Sequence, residues 1–243
     1  MKDASPEGAP ESLDVSIGRK AYETARGAAV DVIRDLHFSV SAGEALAIMG
    51  PSGCGKSTLL RMIAGLDADY DGHIARSGLG RLGMVFQEPT LLAWRSVEDN
   101  IRLVMDKGEE AQSVLEGLLQ RMELWEHRRH YPGELSVGLA RRVGIGRALA
   151  ASPGLLLMDE PFASLDGALA ARLQAQIRDE LARRPVTSIL VTHSFDEALR
   201  IASRLLVFSP RPSRIIADFR LDADLQDPQR AAAIRREVEA LIA

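Results

Sequence analysis

The chain has 243 residues, 46% of them hydrophobic and 26% charged, and a net charge of −4. This is a globular composition able to bury a core, and its acidic balance provides no basic footprint for nucleic acid, which is not expected as a partner. No apolar run nears the roughly 18 residues of a membrane span, and a single cysteine, Cys54, excludes an internal disulfide and fits a reducing cytosol.

Residues 1–12, MKDASPEGAPES, are polar and lack an apolar h-region, so they are read as a disordered tail and not as a secretory signal. Residues 44–50, EALAIMG, form an apolar run ending at glycine, as a buried strand does. After PSGCGKST, the residues Leu59, Met62, Ile63 and Leu66 fall on one helix face. From about 88 to 150 no strand is evident, and a helical lobe is expected there. GLLLMD is a second strand, ending at Asp159, and Leu169, Leu173, Ile177 and Leu181 mark the helix that follows. VTSILVT is a third strand leading to His193, after which Ser194 and Glu197 form an S-x-x-E capping box for a helix over DEALRIASRL. Strands alternating with helices predict an α/β fold with a mostly parallel sheet and helices on both faces.

GPSGCGKS at residues 50–57 matches G-x-x-x-x-G-K-[ST], between a strand and a helix. Its glycines let backbone N–H groups curl around a phosphate, and the helix N-terminus adds the positive end of its dipole. Gly50, Pro51, Ser52, Gly53, Cys54, Gly55, Lys56, Ser57 and Thr58 are therefore the candidate nucleotide contacts. Within them Lys56 reaches the outer phosphates and the Ser57 hydroxyl ligates Mg²⁺. The absence of a guanine-reading N-K-x-D or T-K-x-D favours adenine, hence ATP with Mg²⁺. Tyr22 is placed either to stack on the adenine ring or to pack on the sheet.

Asp159, at a strand end, is placed to hold Mg²⁺, and Glu160 beside it to take a proton from an attacking water. Gln87, in MVFQEP, has an amide suited to bridging the metal or that water, and His193 lies where a γ-phosphate contact is expected. In GELSVGLARR, residues 133–142, Ser136 is expected as a helix N-cap, with the Gly138 amide facing out of the first turn. That is anion-binding geometry. Because the chain already has one phosphate cradle, the second serves a partner chain's nucleotide, or else this is an ordinary capped helix whose arginines face water.

In order along the chain, GPSGCGKST, FQEP, LSVGL, LLLMDEP, ASLD and VTHSFDEA resemble the motif series of the ATP-binding-cassette ATPases, over residues 13–220. The resemblance implies a P-loop NTPase with an N-terminal antiparallel β portion and the helical lobe of about 88–150 inserted into a core domain of residues 13–243. It implies a head-to-tail dimer, taken as a homodimer, with two ATPs between the chains. It makes Gly50–Thr58 the Walker A loop, Leu155–Asp159 Walker B and Glu160 the general base. Gln87 becomes the Q-loop glutamine, His193 the switch histidine and Leu135–Leu139 the signature. Ser164–Asp166 is then the D-loop, with Asp166 reaching the partner. The signature departs from L-S-G-G-Q at Val137 and Leu139, and retains Ser136 and Gly138. Val137 is harmless only if its φ is negative. Gly144 and Gly146 each weaken the following helix by roughly 1 kcal/mol.

LLAWRSVEDNI at 91–101 and FSPRPSRI at 208–215 resemble segments of the nitrate, sulfonate and taurine importers. The implied function is an ATPase subunit powering such an importer by ATP-driven dimer closure, peripheral on the cytoplasmic face of the inner membrane. A permease docks near residues 87–101, Trp94 being either a contact or a core aromatic, and a solute-binding protein takes part indirectly. No appended regulatory domain is expected. The competing readings are an exporter or lipid-transport ATPase, a soluble non-transport relative, and a P-loop kinase, which would not need LSVGL, ASLD or His193.

Overall fold

The structure, a computed structural model, describes residues 12–23, 27–163, 165–184, 186–221 and 228–242. In chain order the elements are β1 (Ser12–Glu23), β2 (Ala29–Ser41), β3 (Ala45–Met49), α1 (Lys56–Ile63), β4 (Asp71–Ser77), β5 (Leu82–Val85), α2 (Val97–Arg102) and α3 (Ala111–Arg121). They continue with α4 (Val137–Ala150), β6 (Leu155–Asp159), α5 (Gly167–Arg183), β7 (Thr187–Val191), α6 (Phe195–Ile201), β8 (Arg204–Phe208), β9 (Ile215–Arg220) and α7 (Pro228–Ile242). Two compact units result: a central one of residues 80–186, and a flanking one made of 1–79 and 187–243.

In the flanking unit, β2, β1 and β4 form an antiparallel sheet in that order, with Val15 opposite Phe38 and Ile74. Leu13, Val15 and Ile17 alternate inward at the two-residue strand period. Ser12, expected in the tail, is instead the first residue of β1, because it is already paired with Ser41 and Ser77. Residues 1–11 lie outside the described residues. The same unit holds a second sheet segment in which β3 lies parallel between β7 and β8, with β9 antiparallel on the outer side of β8. With strands on both sides and α6 and α7 packed on one face, Leu46–Met49 are buried without alternation, hence the unbroken apolar run.

Two helices end earlier than their patterns predict. α1 stops at Ile63, where Gly65 turns to φ +74 and the Leu66 amide bonds back to the Arg61 carbonyl at 2.9 Å. Leu66 is left exposed. α6 stops at Ile201, because the chain from Arg204 onward is drawn into β8 beside β3. At its start the Ser194 hydroxyl accepts from the Glu197 amide at 3.4 Å, while the Glu197 carboxylate accepts from the Thr192 hydroxyl.

In the central unit β5 lies parallel to β6, with Val85 opposite Met158. Among the described residues, the regular elements between these two strands are all helical.

Candidate nucleotide site

In the flanking unit the segment from Gly50 to Gly55 links the end of β3 to the start of α1, the strand–loop–helix context that the glycine spacing requires. Lys56 is almost fully buried, and its ammonium donates to the carbonyls of Gly50 at 2.8 Å and Pro51 at 3.0 Å. Cys54 lies beneath, its thiol pushed up by burial against the opposing pull of Lys56. Ser52, Gly53 and Ser57 are exposed, and Thr58 is half-buried.

The turn between β8 and β9 braces this loop. Arg211 Nε donates to the Gly53 carbonyl, and a Cβ on Gly50 would lie 2.9 Å from the Phe208 carbonyl oxygen. Ser213, fully buried, anchors the turn to β2 by donating from its hydroxyl to the Val32 carbonyl at 3.1 Å. His193 follows β7, whose Val191 is in register with Ile48 of β3, so it emerges at the same sheet edge as the glycine-rich loop. Tyr22 is part-exposed on β1, and its hydroxyl donates to Asp67 at 2.9 Å. The ammonium of the buried Lys20 lies 4.5 Å from the Tyr22 ring centroid and donates to Asp67 at 2.8 Å. Burial depresses Lys20, but the Asp67 bond and charge outweigh it and hold the ammonium above the ordinary lysine value.

In the central unit, Gln87 follows β5 and Asp159 closes β6, so parallel pairing brings both to one sheet edge. Asp159 is buried. Glu160 takes φ +44, a left-handed conformation that non-glycine residues seldom adopt. Arg141 on α4 donates to the Gln87 carbonyl at 2.8 Å and lies 3.5 Å from that of Glu160. Its neighbour Arg142 is buried and paired with Glu123 at 2.6 Å. The reading in which these arginines simply face water is thereby overturned. The α4 backbone turns both side chains inward.

Ser136 is the N-cap of α4, accepting from the Leu139 amide at 3.3 Å. Val137 has a negative φ and is 62% exposed, so its β-branch strains nothing. Gly138 is buried, and a Cβ there would lie 2.5 Å from Leu169 Cδ2. Asp166 caps α5, accepting from the Leu169 amide at 2.9 Å, while Ser164 lies outside the described residues. Gly144 and Gly146 leave room for Pro89 and Ile101, whose nearest atoms would lie 3.6 and 3.4 Å from an added Cβ.

Trp94 is 74% exposed, which removes the core-aromatic alternative. The segment carrying it is braced by Asn100, fully buried, whose amide donates to the carbonyls of Leu92, Arg95 and Ser96. Beside it a groove of about 570 Å³ runs past Arg95, Asp99, Arg102 and Leu103. Arg211 and Lys20 were not singled out by sequence, and Arg141 was noted only as one of a pair of arginines following the N-cap. FSPRPSRI marked the first only as a family segment, and the other two contact main chain or distant acids that spacing does not connect.

A family profile described as ABC transporter matches residues 33–163. The aliphatic sulfonates import ATP-binding protein SsuB 2 of Burkholderia cenocepacia is 38% identical over 242 residues, 96% of this chain and 88% of that protein. SsuB of Bacillus subtilis is 37% identical over 84% of this chain and 82% of its own length. Among solved structures, an ATP-binding subunit of an ABC transporter superposes with TM-score 0.77 at 26% identity, covering 94% of this chain and 98% of that one. A dimeric post-hydrolysis ATP-binding cassette bound to ADP and Pi superposes with TM-score 0.74 at 25% identity, covering 86% and 98%. With this fold, this glycine-rich loop and these relatives, the chain belongs to the ABC transporter family as one of its ATP-binding cassette ATPases.

Proposed function

We propose that the chain is the ATP-hydrolysing subunit of an importer for small sulfonate-type anions, acting as a dimer of cassettes. The observation that carries this reading is the 38% identity, over nearly the whole chain, to ATP-binding proteins named for aliphatic sulfonate import. In it, Gly50–Thr58 hold the ATP phosphates and Tyr22 offers its ring to the adenine. Ser136, Gly138 and Asp166 contact the nucleotide held by a second, identical chain.

Mg²⁺ fits the donor set. The Ser57 hydroxyl, the Gln87 amide oxygen and the Asp159 carboxylate are hard oxygen ligands of the kind this ion takes beside phosphates. When bound, the ion neutralises charge on the phosphates. The chain's own residues do the rest. Lys56 exchanges its loop carbonyls for phosphate oxygens, Glu160 accepts the proton of the attacking water, and His193 contacts the γ-phosphate.

The exposed Trp94 and the groove that begins at the adjacent Arg95 are the docking place for a membrane permease, with a solute-binding protein acting beyond it. No helix among the described residues is long and apolar enough to cross a membrane. In this reading the chain sits on the cytoplasmic face, held by the permease. The test is uptake and ATP hydrolysis by the chain reconstituted with a sulfonate-importer permease and its solute-binding protein. Sulfonate-stimulated hydrolysis that Lys56→Ala abolishes is expected, and hydrolysis indifferent to sulfonate would refute the substrate class.

A further inference from the structure

Four described non-glycine residues of the central unit have positive φ, Thr90, Glu123, Ser152 and Glu160, and the carbonyls of two of them, Thr90 and Glu160 (both φ +44), are met by arginines of α4. Arg147 donates to the Thr90 carbonyl at 3.0 Å and to the Pro89 carbonyl at 3.0 Å. Arg141, two turns earlier on the same helix, donates to the Gln87 carbonyl at 2.8 Å and lies 3.5 Å from the Glu160 carbonyl. Between them Gly144 lets Pro89 approach. A left-handed non-glycine backbone persists only where its surroundings over-determine it. Here the guanidinium groups of one helix contribute to that determination at both places, the Glu160 carbonyl accepting in addition from the Ala163 amide at 3.2 Å.

Resting on the function proposed above, we infer that Arg141 is a positioning residue. From one guanidinium nitrogen it fixes the main chain that carries Gln87 and the main chain that carries Glu160. Since Ser136 caps α4, the helix whose first turn meets the partner's nucleotide also aims the hydrolytic residues of its own chain. Engagement at one composite site is thereby transmitted to the other through α4 and its Arg141 guanidinium. The arrangement has a cost that supports a positional role. Arg141 Nε is buried with no hydrogen-bond partner among the described residues, and burial holds the guanidinium below the usual arginine value.

The test compares Arg141→Met, which keeps the apolar stem and removes every donor, with Arg141→Lys, which restores one. Steady-state ATP hydrolysis, binding of a fluorescent ATP analogue and the thermal midpoint are measured on each full-length protein. Arg141→Met should lower kcat by at least about tenfold, as small misplacements of reacting groups do. Analogue affinity should stay within about twofold and the midpoint should not fall, since an imperfectly satisfied buried group is removed. Arg141→Lys should recover part of the rate. A Met variant with kcat near wild type would overturn the inference. So would a joint fall of rate, affinity and midpoint that Lys does not relieve, which is the signature of a merely structural residue. Wild-type hydrolysis insensitive to Lys56→Ala would overturn the underlying functional reading instead.

Discussion

Alanine at Gly53 and at Gly55 should have very different consequences, although both lie in the same loop and both have positive φ. Gly53 is at φ +74 and its added Cβ would meet nothing closer than 3.6 Å, the Arg211 guanidinium. The cost there is the left-handed backbone alone, about 1–2 kcal/mol. Gly55 is at φ +121, and its Cβ would lie 2.7 Å from Val32 Cγ1 and 3.3 Å from Ile33 Cγ1. Backbone strain of about 1–3 kcal/mol is then joined by about 1–3 kcal/mol of overpacking against β2. Alanine's smaller unfolded-state entropy returns about 0.4–1 kcal/mol at either position. The net losses are about 1 kcal/mol for Gly53→Ala and about 3 kcal/mol for Gly55→Ala. In a chain of this size they correspond to midpoint shifts of roughly 2–4 °C and 6–12 °C. Thermal unfolding followed by circular dichroism reads the difference, with titration of a fluorescent nucleotide alongside. Gly55→Ala should also lose nucleotide binding, because Gly55 sets the entry into α1 and with it the place of Lys56. Equal midpoint shifts, or full binding by Gly55→Ala, would refute the assignment of the contact to β2.

Glu160→Gln should bind Mg-ATP without turnover and shift from monomer to dimer in light scattering only when ATP is present; a permanent monomer would mean that this signature cannot hold the partner unaided. Val137→Gly should leave ATP hydrolysis within about twofold of wild type, because a negative φ and an exposed side chain give the valine nothing to relieve; a large rise in rate would contradict that. Glu123 is held below its ordinary carboxylate value of 4.5, first by its bond to Arg142. Since its folded-state pKa is lowered, its stabilisation is present above 4.5 and disappears as pH falls through the lowered value. Glu123→Gln should therefore be less stable than wild type at pH 7, by about 1 kcal/mol given its partial exposure. The gap in denaturant midpoint should close on acidification, and a gap independent of pH would remove the ion pair as its cause.

What could be read in advance divides along a physical line. β3 and β6 were legible because strands covered on both faces are apolar without interruption, and the glycine-rich loop because its chemistry is local. Its positive-φ positions, its lysine and its flanking strand and helix all fall between Ala45 and Ile63. The end of α1 was not legible, since apolar spacing runs on to Leu66 while the backbone has already turned at Gly65. Nor was the work of Arg141 and Arg147, because a backbone carbonyl is the same acceptor at every residue and leaves no mark in the side-chain pattern. Trp94 was undecided between surface and core for a related reason. Its exposure depends on the loop geometry that Asn100 imposes from a buried position eight residues further on, where its side-chain oxygen accepts from the Leu92 amide at 2.8 Å.

The missing side chain at Gly138 is a keyhole as well as the proposed landing place for an anion. Leu169 Cδ2 already occupies the space that a methyl group there would enter, one turn from the Asp166 cap. On the proposed function a substitution at Gly138 therefore changes two things at once: the amide offered to the partner's nucleotide, and the seat of α5 within its own chain. Loss of activity in such a variant cannot be credited to the shared site alone. Trimming Leu169 to alanine in the same protein unlocks the second effect, and whatever loss survives the double substitution belongs to the first.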